Sequence, residues 1–171
     1  MKNIEALIQQ ISSLSNCRIN RPNGIPVTES YNLPADLKRF YELCGGMILF
    51  DNKDYSIHIV SPEEFISSNP VIVGEQVEED ISSHWFIIAH DGNGDYLSID
   101  LHPKRVGKCY DSFWDRHGVV GDCPVVARSF NELLNDLVQN NGERWYWLKE
   151  DFESLGDAYD IIDDELFILI E

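Results

Sequence analysis

Two apolar runs, residues 85–89 and 96–101, flank the polar stretch Asp91-Gly92-Asn93-Gly94-Asp95. Glycine takes positive φ without a Cβ clash, and Asn and Asp side chains bond nearby backbone, so these are turn residues. The pattern predicts a central β-hairpin with a five-residue connection. Its first run is apolar throughout, as in a strand covered on both faces. The second alternates Leu97, Ile99 and Leu101 with Tyr96, Ser98 and Asp100, as in a half-buried strand.

Helical periodicity dominates both sides of this hairpin. Ile4, Leu7, Ile8, Ile11 and Leu14 predict an amphipathic helix over 3–15. Residues 16–33 hold Pro22, Gly24 and Pro26 without a clear period and read as a surface connection. Pro34 then opens a second helix with Leu37, Phe40, Tyr41 and Cys44 inward and Gly45-Gly46 as its C-terminal cap. Strands over 47–50 and 55–60 follow around Asp51-Asn52-Lys53-Asp54, and Ser61, Pro62 and Glu64 predict a capped short helix.

Beyond a polar loop at 74–84 and the hairpin, 106–112 reads as a strand, with Gly107 as a candidate bulge. Residues 113–122 form a loop and 124–127 a last strand. Ser129 and Glu132 cap a clear helix whose inward face is Phe130, Leu133, Leu134, Leu137 and Val138, closing near Gly142. The expected domain spans 1–142. Residues 143–171 form an acidic, aromatic extension that is too apolar to stay disordered and is expected to dock on the same domain.

Charge changes this picture most. The chain has 30 acidic and 13 basic residues, a formal net charge of −17 and a pI near 4.5. Such a surface repels nucleic acid and anionic membranes and attracts basic partners. Residues 143–171 alone carry ten acids against Arg144 and Lys149, a net −8. Cys17, Cys44, Cys109 and Cys123 lack CxxC spacing and read as reduced thiols of a cytoplasmic protein. The early sequence shows no secretory signal, and no run is apolar enough for a membrane span.

Candidate chemistry is sparse. Asp91, Asn93 and Asp95 imitate the start of an EF-hand, but Tyr96 replaces the required Gly and His102 the required Glu. His84, His90 and His102 lack metal-ligand spacing and read as loop-edge residues with ordinary hydrogen bonds. His117 with Asp111 and Asp115 could do acid–base work, yet no nucleophile or oxyanion hole accompanies them. Neither a catalytic residue, a cofactor site nor a metal site is expected. Acids and aromatics interleave at Tyr110, Asp111, Trp114 and Asp115, and again at Trp147, Glu150 and Asp151. Rings supply buried contact area and carboxylates supply steering, so these seven are the expected contacts for a basic protein partner.

Four blocks carry a family likeness: LPADLKRFYELCGG (33–46), WFIIAHDGNGDYLSIDL (85–101), VGKCYDSFWD (106–115) and SFNELLNDLV (129–138). In this order they resemble the SUKH superfamily, which includes bacterial immunity proteins and fungal cell-wall assembly regulators of the Smi-Knr type. The resemblance implies an α+β fold, with a twisted, mostly antiparallel central sheet and helices packed against it. It implies a non-enzymatic binder that neutralises a cognate bacterial toxin domain, often a nuclease, whose basic groove a −17 protein is suited to block. The alternative reading is a regulatory or scaffold protein of the cell-wall assembly type. The family supplies no catalytic motif, and the matching Leu33, Pro34, Gly46, Gly94, Asp95 and Asp100 read as structural.

Overall fold

Extended segments too short to stand alone assemble here into one sheet whose spatial order follows the chain. The computed structural model describes residues 1–160. Its seven strands are β1 (Arg18–Ile19), β2 (Met47–Leu49), β3 (Ile57–Ile59), β4 (Trp85–His90), β5 (Tyr96–Asp100), β6 (Cys109–Ser112) and β7 (Val125–Ala127). Each pairs antiparallel with the next, so no crossover connection is needed. Helices α1 (Ile4–Ser12), α2 (Ala35–Leu43), α3 (Ser68–Ile72) and α4 (Phe130–Asn140) complete an α+β architecture, with 3-10 turns at Ile81–His84 and Tyr146–Leu148.

The longest apolar stripes define the main core. Ile4, Leu7 and Ile11 of α1, Leu37, Phe40 and Tyr41 of α2, and Phe130, Leu133, Leu134 and Leu137 of α4 are buried together. They meet Leu97, Ile99, Cys109 and Val126 on one face of the sheet. Local signals start these helices as expected: Asn3 caps α1 by accepting the Ala6 N–H, and Ser129 caps α4 by accepting that of Glu132. Left-handed Asn141 ends α4.

The second face of the sheet is buried too, which corrects the half-buried reading of β5. Ser98 and Asp100 are fully buried, because α3, the turn after β5 and the 3-10 turn at Ile81–His84 lie over them. A smaller cluster of Ile81, Trp85, Tyr110, Cys123, Val125 and Ala158 forms there. Its polar anchor is Asp100. The Asp100 Oδ2 atom accepts from Trp85 Nε1 (3.1 Å), Arg105 Nε (2.8 Å) and Tyr110 OH (2.9 Å), and Oδ1 accepts the His102 N–H (2.8 Å).

Several boundaries move. The connection at 16–33 contains β1, whose two residues are too few to show a period. Glu64 does accept the Ser61 N–H (3.0 Å), but the chain there turns instead of coiling, and the helix forms later, at α3. Strand β6 begins at Cys109 because Gly107 sits in the preceding turn; the irregularity lies opposite β7, at Cys109 and Tyr110. The bulge in the central hairpin falls between Ile87 and Ala89. Gly45 and Gly46 are not a helical cap. The chain leaves α2 directly into extended backbone at Cys44, and Gly45 N–H donates to Asn20 O beside β1 (3.0 Å).

Gly46 explains why that corner tolerates no side chain. It holds φ +99°, and an added Cβ would stand 2.7 Å from Ile59 O and 2.9 Å from Val60 O. Gly94 holds nearly the same angle, φ +98°, with nothing within 4 Å. Both alanine variants therefore carry the positive-φ strain of about 1–2 kcal/mol, and only the first also forces backbone apart. Gly46→Ala is expected to cost at least about 2 kcal/mol more than Gly94→Ala, read from urea unfolding midpoints at constant m. Equal losses would show that strain alone decides both sites.

Candidate partner-binding surface

The seven interleaved residues separate cleanly by burial. Tyr110 and Asp111 are 0% exposed and Trp147 is 6% exposed, whereas Trp114 is 77% exposed and Asp115, Glu150 and Asp151 also reach solvent. The expectation of one continuous surface is corrected for the buried three. Tyr110 stacks on Trp85 (centroids 4.3 Å) and gives its hydroxyl to Asp100. Asp111 accepts from Trp147 Nε1 (3.0 Å), from the Phe113 N–H (3.1 Å) and from the guanidinium of Arg116. These contacts are internal.

Internal placement still organises what is outside. Phe113 packs edge-on against both Trp145 and Trp147 at 6.2 Å, and those two indoles stack at 5.4 Å. The loop bearing Trp114 and Asp115 is thereby set against the segment leading to Glu150 and Asp151. On its other side, the Trp114 N–H donates to Asp95 Oδ1 in the central hairpin loop (3.4 Å). Burial raises the Asp95 carboxyl above its ordinary value, and the nearby carboxylates of Asp91, Asp111 and Asp115 push the same way. Exposed Asp115 and the hairpin carboxylates of Asp91 and Asp95 thus lie on the side of the exposed indole. Of the extension, residues 143–160 are described, with Trp145 and Trp147 joining the main core. The apolar run 166–170 and its expected docking lie outside the described residues.

The residues weighed for chemistry are held by ordinary contacts. The Asp91 carboxylate accepts the N–H groups of Asn93 (2.7 Å) and Asp95 (3.1 Å), forming the hairpin turn. Among the described residues, no group of three or more His, Cys, Asp or Glu could hold a metal ion. His84 Nδ1 meets Tyr31 OH (2.8 Å), His90 Nδ1 accepts the Gly92 N–H (3.1 Å) and His102 Nδ1 accepts that of Lys104 (3.2 Å). His117 does not join Asp111 and Asp115. It is buried between Ser112 Oγ (3.0 Å) and Asn69 Oδ1 (2.6 Å), tying the 113–122 loop to α3. All four cysteines are free thiols, and burial pushes the Cys44 thiol up to about 11 and Cys123 to about 12. No helix among the described residues is long and apolar enough to cross a membrane.

A second feature went unread in the sequence. Two open cavities of about 430 Å³ each flank the exposed side chain of Ile66, next to α3. The signal was available: residues 54–103 contain ten acids and not one Lys or Arg. That stretch outweighs the acidic end of the chain.

A helix-backed antiparallel meander whose acidic surface carries exposed rings and aliphatics is built for protein recognition. The chain belongs to the SMI1 / KNR4 family (SUKH-1), whose model matches residues 28–136. It is 55% identical over 163 residues to Immunity protein YokJ of Bacillus subtilis (strain 168), covering 95% of this chain and 99% of that protein. Family membership makes it a non-enzymatic protein, and the likeness supports an immunity role.

His117 yields a pH signature. Burial pushes it down to about 4 from an ordinary 6.5. Below pH 6.5 the unfolded chain takes up this proton and the folded chain does not, so stability falls as pH drops from about 6.5 to about 4. The loss reaches about 3 kcal/mol. Asp136 acts oppositely, since burial raises its carboxyl to about 6. The test is therefore a comparison: His117→Gln should flatten the fall in urea-unfolding stability between pH 6.5 and 4, and an unchanged slope would assign it elsewhere.

Proposed function

We propose that this chain is an immunity protein that binds one cognate bacterial toxin domain and neutralises it by covering a basic active-site groove, the toxin being a nuclease. The observation that carries the reading is near-full-length identity of 55% to Immunity protein YokJ. That likeness favours immunity over the regulator or scaffold alternative, because it extends over the whole domain and not only the family core. The charge of −17 supports a basic partner and disfavours direct binding of nucleic acid or an anionic membrane. In this reading the protein works in the cytoplasm, and residues 143–160, whose Trp145 and Trp147 pack into the main core, belong to the same domain.

The surface assigned to the toxin centres on Trp114, with Asp115, Glu150 and Asp151 around it. An exposed indole is an anchor that desolvates on contact, and carboxylates at its rim accelerate encounter with a positive groove. Tyr110, Asp111 and Trp147 contribute by holding this surface in place. Binding kinetics against the toxin domain encoded beside this chain's gene test the assignment. Raising salt should slow association more than it speeds dissociation. Asp115→Lys and Asp151→Lys should slow association with little change in melting temperature, since both charges are exposed. Trp114→Ala should speed dissociation about 30-fold, equivalent to about 2 kcal/mol. Salt-independent association, with wild-type kinetics for every variant, would place the interface elsewhere.

A further inference from the structure

Ile66 stands 47% exposed between the two cavities. Its neighbours in sequence and space are unusual for a free surface. Val27 and Val71, both exposed, line the grooves on either side of it. On one side of Ile66 a groove is lined by Val60, Val71 and Ile87, with Glu63 and Glu64 at its edge. On the other side Phe65, Phe86, Tyr31 and Val27 line a second groove, edged by Glu29. Apolar surface gathered like this, inside a polar rim, marks a contact site.

Charge specifies the occupant. Neither groove has a Lys or Arg among its lining residues, while Glu29, Glu63 and Glu64 are there, so the lining itself favours a positively charged visitor. Burial and the adjacent His58 hold His90, in the first groove, below its ordinary value. A second copy of this chain would bring the same acids face to face across a symmetric contact. A basic segment carrying aliphatic side chains fits both halves of the chemistry: methyl groups fill the grooves and cationic heads pair with the glutamates.

The grooves also continue the Trp114 surface. Gly92 and Gly94 of the hairpin loop line the first groove, and Asp95 of the same loop receives the Trp114 N–H. We propose that the paired grooves flanking Ile66 seat a basic, aliphatic-bearing segment of the toxin, so that its footprint crosses the 91–95 loop from Trp114 to α3. This rests on the immunity reading.

Ile66 and Glu63 test it with little risk to the fold. The backbone bond from Ile87 N–H to Ile66 O survives truncation, and the Glu63 side chain is exposed. The full chain, as wild type, Ile66→Ala, Glu63→Lys and Trp114→Ala, is titrated with the adjacent-gene toxin domain by surface plasmon resonance, with melting temperatures in parallel. Ile66→Ala should weaken binding at least tenfold through faster dissociation. Glu63→Lys should slow association several-fold, an effect that shrinks as salt rises. Wild-type kinetics for both, with dissociation still faster in Trp114→Ala, would overturn the groove and leave the immunity reading standing. A wild-type chain that does not bind the toxin would overturn both. If light scattering instead shows a dimer that Ile66→Ala dissolves, the occupant is a second copy and the proposal fails.

Discussion

A carboxylate with no solvent access organises the less protected half of this molecule. Asp100 lies at the end of β5 on the face that the three long helices do not cover. Removing such a charge from water costs several kcal/mol, and only close partners offset it. Arg105 supplies the opposite charge, while Trp85, Tyr110 and the His102 N–H supply donors. The four partners come from three pieces of chain: β4, β6 and, for His102 and Arg105, the turn after β5. The need to satisfy one buried carboxylate therefore folds that turn back over the sheet.

Asp111 repeats the device one strand over, and there it touches function. Its partners Arg116 and Trp147 bracket the loop that displays Trp114 and the segment that leads to Glu150. A recognition loop must hold its shape before the partner arrives, since ordering it later subtracts from affinity. Buried hydrogen bonds from both sides, plus the Phe113 ring on two indoles, provide that order. His117 pins the middle of the same loop to α3.

What could be read from the sequence was whatever is local. The central hairpin announced itself because turn residues and flanking runs are contiguous, and α1, α2 and α4 because 3.6-residue stripes are long enough to count. Strand β1 has two residues and no period; it exists only because Gly45 and Gly46 bring β2 within reach. The Ser61–Glu64 pair made half of a capping arrangement without a helix to cap. The site was harder, because interleaved acids and rings look alike whether they face in or out. Asp111 and Tyr110 are inside only because Arg116 and Asp100 meet them in three dimensions. Conversely, the ten acids without a Lys or Arg across 54–103 were fully readable, and eclipsed by the aromatic-rich end of the chain.

That run bears on why so acidic a surface persists. Like charges gathered on one region repel each other, and the folded state, which holds them closest, loses stability. The two buried ion pairs cannot relieve this, because Asp100 and Asp111 are already matched. Relief has to come from outside. A basic partner laid across Trp114, the hairpin loop and Ile66 would neutralise part of this repulsion, and binding the folded state alone also raises apparent stability by mass action. Free and bound chains then differ in two linked ways, electrostatic strain and partner contacts. The same acids that speed encounter with a cationic groove leave the unbound protein less stable than its apolar core would allow.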